Sequence, residues 1–282
     1  MVSAKRMAVV TGASSGIGLA TAQELARRGF HVLAGVRTPQ DAERLASANV
    51  EPVIVDITDE EQVAALAERA AHDPLGRRLG ALVNNAGVAL NAPVEAIPLA
   101  EWRRHFDVNV FGHVAVAQAL LPALIAGGDG RLVNVSSIGG RVAFPTYGAY
   151  AAAKFALEGF SDALRREVGR LGVKVIVIEP GTVATPMWGK GIATMDTLAA
   201  AMTADQHARY DDLIAAMRKQ ARDQEGSGIQ PLRAATVIAD AIQSRKPRAR
   251  YLVGRDAKLL AALSGLLSDR TVDRLVARNL GV

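Results

Sequence analysis

Three residues in the middle of the chain carry groups that can act on a carbonyl. Tyr150 and Lys154 are four residues apart, so on a helix they lie one turn apart on the same face. Ser137 comes thirteen residues before Tyr150, at the end of an apolar run that reads as a buried strand. A free phenol has a pKa of about 10, and a cation beside it favours the phenolate. The pattern predicts proton exchange with a carbonyl oxygen held by the serine, although a Tyr and a Lys on one helix are also a common coincidence.

A glycine-rich loop near the N-terminus indicates a phosphate-bearing ligand. A short apolar strand, residues 7–10, runs into Gly12, Gly16 and Gly18, and a helix is predicted over residues 19–28. Glycines allow a tight turn and close approach of the backbone to a phosphate, while the helix N-terminus offers free N–H groups. The spacing is GxxxGxG rather than the GxGxxG of the standard dinucleotide fingerprint. The evidence for a phosphate-bearing ligand is therefore the position of the loop between a strand and a helix.

The residue after the second predicted strand bears on the choice of nucleotide. NAD-selective sites place Asp or Glu about 20 residues beyond the glycines, bonded to the ribose 2′-OH. Here that region reads Val36-Arg37-Thr38, with no acid. Because a guanidinium matches phosphate geometry, Arg37 would pair with a 2′-phosphate. The sequence predicts NADP(H), with NAD(H) as the less favoured cofactor; the alternative is that Arg37 is a solvent-exposed loop residue.

Alternating strands and helices bring these residues together. Helices separate apolar runs that predict strands at residues 7–10, 30–36, 50–55, 80–83, 131–135 and 173–178. Such alternation predicts an α/β fold with a parallel sheet and right-handed crossovers, in which ligands bind at the carboxyl ends of the strands. The glycine loop, Arg37, Asp56, Asn84 and Ser137 all fall at such ends.

Two polar residues each have two possible roles. Asp56 could accept a hydrogen bond from an adenine amino group, but it also precedes a helix for which Thr58 and Glu61 suggest a capping box. Asn109 lies inside the long helix predicted over Leu99–Ala126, where an unbonded amide costs stability. It would either bond the backbone and kink the helix or hold a water chain to Lys154.

Composition and charge exclude several classes of protein. With 282 residues, half of them hydrophobic, the chain is long enough for one large domain or one domain with an appended lobe. The absence of cysteine excludes disulfides, zinc fingers and thiol catalysis. The net charge is +5, and the basic residues cluster only near the C-terminus, which we interpret as a solvated surface with an anionic partner as the alternative. We expect no metal site and no nucleic-acid partner.

Hydropathy predicts a cytoplasmic protein without stable membrane insertion. The apolar run at residues 7–10 is too short for a signal-peptide core and continues directly into the glycine turn. By inspection, no stretch reaches the ~18–20 apolar residues that a membrane span needs.

Six motifs together resemble the short-chain dehydrogenase/reductase family over residues 5–186. In order along the chain they are Thr11-Gly12-xxx-Gly16-x-Gly18, Asn84-Asn85-Ala86-Gly87, Asn109, Ser137, Tyr150-xxx-Lys154 and Pro180-Gly181-x-Val183-x-Thr185. The resemblance implies a single domain over residues 1–282, with a Rossmann-type doubly wound parallel sheet of about seven strands and helices on both faces. It further implies a substrate lid at residues 186–228 and C-terminal helices at residues 254–282.

The resemblance also implies a role for each residue that matches a motif. Tyr150 would be the general acid in reduction and the base in oxidation, Lys154 would lower its pKa and bond the nicotinamide ribose, Ser137 would orient the substrate oxygen, and Asn109 would hold a proton-relay water. The implied cofactor contacts are Gly12, Ser14, Ser15, Gly16, Ile17, Gly18, Arg37, Asp56, Ile57, Asn84, Ala86, Gly87, Tyr150, Lys154, Pro180, Gly181, Val183 and Thr185.

The substrate is the least determined part of the sequence-based hypothesis. The long, Met-rich segment after Thr185 is similar to that of members acting on steroids and retinoids, and Tyr147, Met187 and Trp188 join Ser137 as candidate substrate contacts. The leading hypothesis is an NADP(H)-dependent oxidoreductase for a bulky apolar alcohol, ketone or aldehyde. The alternatives are a 3-oxoacyl-thioester reductase, which the basic cluster would suit, and a non-catalytic NADP-binding regulatory protein. Family analogy implies a homodimer or homotetramer through two long helices, residues 99–126 and 148–171.

Overall fold

Apolar, largely β-branched runs form a seven-stranded parallel sheet at the centre of the molecule. The computed structural model describes residues 6–280, except for the side chain of Asn279. The strand order is β3-β2-β1-β4-β5-β6-β7, and every pairing is parallel. The strands are β1 Arg6–Val10, β2 Phe30–Val36, β3 Val50–Ile54, β4 Arg78–Asn84, β5 Gly130–Val135, β6 Val173–Pro180 and β7 Arg250–Val253.

Helices cover both faces of this sheet because its strands are apolar on both sides. Within the described residues the helices are α1 Gly16–Arg27, α2 Pro39–Leu45, α3 Glu60–Ala71, α4 Leu99–Phe106, α5 Gly112–Ala126, α6 Gly148–Val168, α7 Met187–Ala199, α8 Ala204–Ser227, α9 Pro231–Gln243, α10 Arg255–Leu266 and α11 Asp269–Leu280. Along β1, Ala8 and Val10 pack with α1 and α9, whereas Met7 and Val9 pack with α3, α5 and α6. This alternation with a period of two forms two apolar cores, one on each face.

The fold class predicted from the sequence is confirmed. The strand at residues 30–36 has the predicted bounds, and the others shift or extend by one to a few residues. The helix α9 was not predicted. The capping box expected at Thr58 and Glu61 is wrong: Asp59 is the N-cap of α3 and accepts hydrogen bonds from the backbone N–H groups of Glu61 and Gln62.

The long apolar helix over Leu99–Ala126 is continuous but contains a π-helical turn, Asp107–Phe111, between α4 and α5. Among the described residues it is long and apolar enough to cross a membrane, with a mean hydropathy of 1.7 in its most apolar window, so the expectation that no stretch would reach this threshold is wrong. Its apolar side chains belong to the core on the sheet face that α3, α5 and α6 cover, because Val116, Leu120 and Leu124 are fully buried against strand residues there.

Two histidines on this helix are buried in the neutral form. Burial lowers the pKa of His105 to about 4, and the nearby Lys154 and Arg104 charges add to the effect. Burial also lowers the pKa of His113 to about 3; its Nε2 donates to the carbonyl oxygen of Ala86 at 2.6 Å. Neither ring can take up a proton without moving that charge into an apolar environment.

Stability should therefore fall on mild acidification. Each imidazole binds a proton near pH 6.5 when the chain is unfolded but resists protonation when it is folded. The stabilisation is fully present above about pH 6.5 and is lost as the pH falls toward the folded pKa values. We expect the free energy of unfolding to drop by on the order of 1 kcal/mol per histidine between pH 6 and pH 5. Urea denaturation at both pH values measures this drop in the free energy of unfolding. Constant stability across this range would contradict the neutral buried state.

A pair of helical glycines should respond in opposite ways to alanine. A Cβ on Gly18 in α1 would overlap the carbonyl oxygen of Gly12 and the side-chain amide of Asn85, whereas no atom lies within 4 Å of a Cβ on Gly159 in α6. Gly18→Ala should lower the free energy of unfolding by about 1–3 kcal/mol through overpacking. Gly159→Ala should raise it by up to about 1 kcal/mol because alanine has the higher helix propensity. Thermal and urea denaturation compare the two, and equal effects would refute the tight packing at Gly18.

Candidate active site

The glycine loop after β1 is tied to the end of β4. Gly12 and Gly16 have φ values of +64° and +58°, a conformation that glycine adopts without strain. The hydroxyl of Thr11 accepts from the backbone N–H groups of Asn85 and Ala86 at 3.0 and 3.1 Å. The Asn85 amide in turn donates to the carbonyl of Thr11 at 3.0 Å. Asn85, which we had not assigned to the site, thus holds the loop in its shape.

The open end of α1 fits the phosphates of a dinucleotide. Ser15 precedes α1 without a side-chain cap, so the first N–H groups of the helix are open to an anion. A Cβ on Gly16 would lie 3.1 Å from Cγ2 of Thr185, in the segment after β6. The loop after β1 and the loop after β6 therefore approach each other across the carboxyl edge of the sheet, as two ends of one site would. Ile17 is partly buried against the apolar core beneath.

Ser137, Tyr150 and Lys154 converge at the same edge. Lys154 is buried and donates from Nζ to the carbonyl oxygen of Val135, the last residue of β5, at 2.9 Å. Its Nζ lies 5.8 Å from the ring centroid of Tyr150. Ser137 follows β5 and accepts from the Gly139 N–H at 3.0 Å, which turns the chain back toward α6. The strand end and the first turns of α6 thus place a phenol, an ammonium and a hydroxyl side by side.

Burial perturbs the two titratable groups in opposite directions. It raises the pKa of the Tyr150 phenol, and a hydrogen bond with the Ser137 hydroxyl opposes that rise. It lowers the pKa of Lys154 to about 8, with the Glu158 carboxylate acting against the decrease. Near neutral pH the phenol is protonated and the ammonium largely charged. The pair can therefore donate a proton to a substrate oxygen while a cation stabilises the phenolate left behind.

A network of buried charges lies behind the Ser137 turn. Glu179, fully buried on β6, accepts from Arg141 Nε at 2.7 Å, and Glu158 on α6 accepts from Arg250 Nε at 3.1 Å. Arg141 belongs to the loop that joins Ser137 to Tyr150. These pairs connect that loop, α6, β6 and β7. The sequence signal was weak because the four residues are far apart in the chain.

Asn109 sits in the π-helical turn and bonds a neighbouring backbone. Its Oδ1 accepts from the N–H of Val88 at 3.2 Å, and its Nδ2 donates to the carbonyl of Val88 at 3.1 Å and to that of His105 at 3.1 Å. Of the alternatives left by the sequence, the structure shows the backbone contact. The ring of His105, a residue absent from the sequence-based site, lies 6.3 Å from the Tyr150 ring.

A basic cavity of about 470 Å³ adjoins the glycine loop. Arg37 lines it, as do Arg44 of α2 and Lys190 of α7, against a single acid, Asp41. The remaining lining residues are Ser14, Ser15, Thr38 and Pro186. Arg44 and Lys190 were missed from the sequence because no motif contains them; only the fold brings α2 and α7 to this loop.

The side chain of Asn84 does not reach the edge of the sheet. It is fully buried and donates to the carbonyl of His113 and to Oδ1 of Asn134, both at 3.1 Å, so it holds β4, β5 and α5 together. The predicted contact of Asn84 with the cofactor would therefore involve its backbone rather than its side chain. Ala86 and Gly87, which come next, are partly accessible, and a Cβ on Gly87 would lie 2.9 Å from Oδ1 of Asn109.

Asp56 and Ile57 lie just after β3. The Asp56 side chain is partly accessible, and that of Ile57 is buried. The Asp56 carboxylate accepts from the N–H and the hydroxyl of Thr58 at 3.0 and 2.7 Å. It therefore has a turn-forming role, and its partial exposure leaves room for an adenine contact as well. Ile57 packs into the core below α5.

The segment after β6 is anchored on both sides. The N–H of Gly181 donates to the carbonyl of Val253 at 2.9 Å, directly after the buried Pro180. Val183 pairs with Ile229, and the indole of Trp188 donates to the Val183 carbonyl at 2.8 Å. Trp188 thus fastens the start of α7 to the backbone below.

Two further candidate substrate contacts lie close to the site. Met187, the first residue of α7, is partly exposed, and its Cε would lie 3.9 Å from a Cβ on Gly87. The ring of Tyr147 is 6.4 Å from that of Tyr150, nearly perpendicular to it. Tyr147 also packs with an apolar cluster centred on Met195, Ile214 and Met217 of α7 and α8.

Two similar proteins cover nearly the whole chain. The oxidoreductase YbbO of Escherichia coli, described as uncharacterized, is 34% identical over 96% of this chain and 94% of its own. Human retinol dehydrogenase 16 is 37% identical over 95% of this chain and 86% of its own.

Solved structures share the fold and carry both kinds of nicotinamide dinucleotide. A short chain dehydrogenase from Burkholderia cenocepacia in complex with NADP has a TM-score of 0.74 at 29% identity, over 98% of this chain and 97% of its own. One from Burkholderia phymatum in complex with NAD has a TM-score of 0.78 at 25% identity, over 93% and 94%.

The family assignment rests on sequence and site together. Residues 6–196 match the short chain dehydrogenase family, and this span contains the glycine loop, the convergent Ser137, Tyr150 and Lys154, and the segment that closes over the loop. The chain is therefore an oxidoreductase that belongs to the short-chain dehydrogenase/reductase family, whose members bind nicotinamide cofactors.

Proposed function

We propose that this chain interconverts a ketone or aldehyde and the corresponding alcohol on a bulky apolar substrate, with NADP(H) as the cofactor. The convergence of Ser137, Tyr150 and Lys154 beside the glycine loop carries the proposal. When bound, the nicotinamide supplies or accepts the hydride at the substrate carbon. The chain itself must bind the dinucleotide, hold the substrate oxygen and move one proton to or from it.

Tyr150 transfers that proton. In reduction its hydroxyl gives the proton to the substrate oxygen as the carbon receives the hydride, so a carbonyl becomes an alcohol; oxidation is the reverse. The Lys154 ammonium, 5.8 Å from the ring, stabilises the phenolate. The Ser137 hydroxyl bonds the reacting oxygen and sets its position. Asn109 holds the Val88 segment beside the site and, in the family pattern, a water connecting Lys154 to solvent.

The basic cavity supports NADP(H) as the preferred cofactor. Arg37, Arg44 and Lys190 surround a space at the end of β2, where the ribose 2′-position of a dinucleotide held on α1 would lie. Guanidinium groups bond phosphate in two places at once, and the Ser14 hydroxyl adds a donor.

The helices α7 and α8 support a bulky apolar substrate. We propose that residues 186–228 form a lid on the single domain, since the buried Met195 and Met217 pack with Tyr147 and methionine side chains can repack around an apolar ligand. Retinol dehydrogenase 16 is among the relatives. Three residues of the C-terminal basic cluster that suggested a thioester substrate, Arg248, Arg250 and Lys258, line a separate cavity to which no residue of the lid contributes.

We also propose that the chain forms an oligomer. Phe111 of the π-helical turn and Phe155 of α6 are 61% and 47% exposed, on the two long helices through which family analogy implies pairing. Light scattering of the purified protein measures this, and a monomer at micromolar concentration would contradict it.

Replacing the proposed acid should abolish turnover without loss of structure. Tyr150→Phe removes only the hydroxyl, and we expect kcat for carbonyl reduction to fall by about 10²–10⁴-fold, the usual contribution of a general acid. NADPH oxidation with a panel of retinal, steroid ketones and acetoacetyl thioesters measures it and also separates the substrate classes. Tyr251→Phe, on β7, is the matched control and should keep wild-type turnover. Wild-type activity of Tyr150→Phe would refute the assigned role.

Reversing the charge at Arg37 should reverse the cofactor preference. In Arg37→Asp the carboxylate repels the 2′-phosphate and can bond a 2′-OH, so kcat/KM for NADPH should fall by about 10–100-fold, the loss expected for one charge-assisted hydrogen bond. The value for NADH should stay level or rise. The exposed Arg170, replaced by Asp, controls for the change in net charge and should alter neither value. Unchanged Michaelis constants for both cofactors in Arg37→Asp would show that Arg37 does not read the phosphate.

A further inference from the structure

A buried amide lies under the lid, close to the catalytic tyrosine. Asn91 is only 3% exposed, and its Oδ1 has no hydrogen-bond partner. Its two neighbours, Leu90 and Ala92, pack into a small apolar cluster. The Asn91 amide instead lies against α7, where a Cβ on Gly191 would come within 2.8 Å of Nδ2. A larger residue at this position of α7 would displace the Asn91 amide or the helix.

The segment before Tyr147 is strained in a way that brings Tyr147 to the same place. Thr146 has a φ of +65°, which is unusual for a β-branched residue, and its hydroxyl is also buried without a partner. The carbonyl of Thr146 accepts from the N–H of Ala92 at 2.9 Å, which joins this turn to the Asn91 segment. Burial raises the pKa of Tyr147 to about 12, and the side-chain amide of Asn91 opposes the rise.

The hydrogen-bonding capacity of Asn91 and Tyr147 indicates which chemical group would bind between them. An acceptor buried without a partner costs about 1–3 kcal/mol, so the fold retains Asn91 Oδ1 at a cost unless a ligand or a water fills the space. The Tyr147 hydroxyl has a proton to donate. Among the oxygen groups of an apolar alcohol or ketone, only a hydroxyl both donates to Asn91 Oδ1 and accepts from Tyr147. A hydrocarbon, a carbonyl or an ether satisfies at most one of the two.

We propose that Asn91 and Tyr147 form a second polar subsite that binds a hydroxyl group of the substrate, separate from the oxygen that reacts at Tyr150. This inference rests on the proposed function. It narrows the substrate class from apolar ketones to hydroxyketones, and on the alcohol side to diols, with the apolar remainder of the molecule beneath the proposed lid. The separation of 6.4 Å between the Tyr147 and Tyr150 rings keeps both oxygens of one small molecule within reach.

The test compares three versions of each ketone: one with a hydroxyl, one without it, and one with a methyl ether in its place. The hydroxyl is moved to successive carbons along a rigid apolar skeleton, and kcat/KM is measured with NADPH. We expect one position at which wild type prefers the hydroxyketone over both analogues by about 10-fold or more. The ether keeps an acceptor but has no proton for Asn91, so it should behave like the deoxy compound.

Two variants test whether Asn91 and Tyr147 cause the preference for the hydroxyketone. In Asn91→Leu and in Tyr147→Phe the ratio of kcat/KM for the hydroxyketone to kcat/KM for the deoxy ketone should shrink to about twofold or less. Turnover of the deoxy ketone also shows that each variant is folded. If one variant is inactive with every ketone, the other variant and the wild-type comparison still test whether the subsite exists.

The outcomes separate this inference from the function on which it rests. If wild type reduces no ketone of the set, the proposed function fails. If wild type reduces hydroxyketones, deoxy ketones and ethers equally at every position, ketone reduction stands but the subsite is refuted, and a resident water satisfies Asn91. A preference that survives unchanged in both variants would also refute the subsite.

Discussion

The buried ammonium of Lys154 is the constraint on which the rest of the site depends. Removing a cation from water is costly, and the fold compensates with one short bond to the Val135 carbonyl and the field of Glu158 one turn away on α6. The Val135 carbonyl is available only because β5 ends there. Glu158 is itself held by Arg250 on β7, so strands at the far side of the sheet help to keep the ammonium in place. Its position is thus a property of the whole sheet rather than of one helix.

The sequence predicted the fold and much of the site because both follow from short-range pattern. Strands that are apolar on both faces can only be central, and residues that end such strands must meet at one edge, so Arg37 and Ser137 could be placed without coordinates. The pairing of Tyr150 and Lys154 needed nothing beyond the helical repeat. For Asn84, the motif fixes where the residue sits along the chain but not which way its side chain turns. Only packing against α5 and β5 decides that.

The residues that the sequence missed share a physical feature: each acts through an element remote in the chain. Arg44 and Lys190 reach one cavity from α2 and α7, which no local rule brings together. Asn91 looked like an ordinary loop amide, and its lack of a partner becomes visible only once α7 covers it. His105 is buried beside Tyr150, which lies on α6, far along the chain. A charged or amide side chain in a variable segment carries no periodic signal, so its burial cannot be inferred from spacing.

The helix α7 connects the two halves of the site. Lys190 lines the basic cavity beside the glycine loop, and the next residue, Gly191, lies against the Asn91 amide. Consecutive residues of one helix therefore reach the basic cavity and the Asn91 amide. Trp188 fastens the start of the same helix to the Val183 carbonyl. Under the proposed function, a 2′-phosphate that attracts Lys190 would favour the position of α7 in which Gly191 covers Asn91, so cofactor binding would help to shape the substrate pocket.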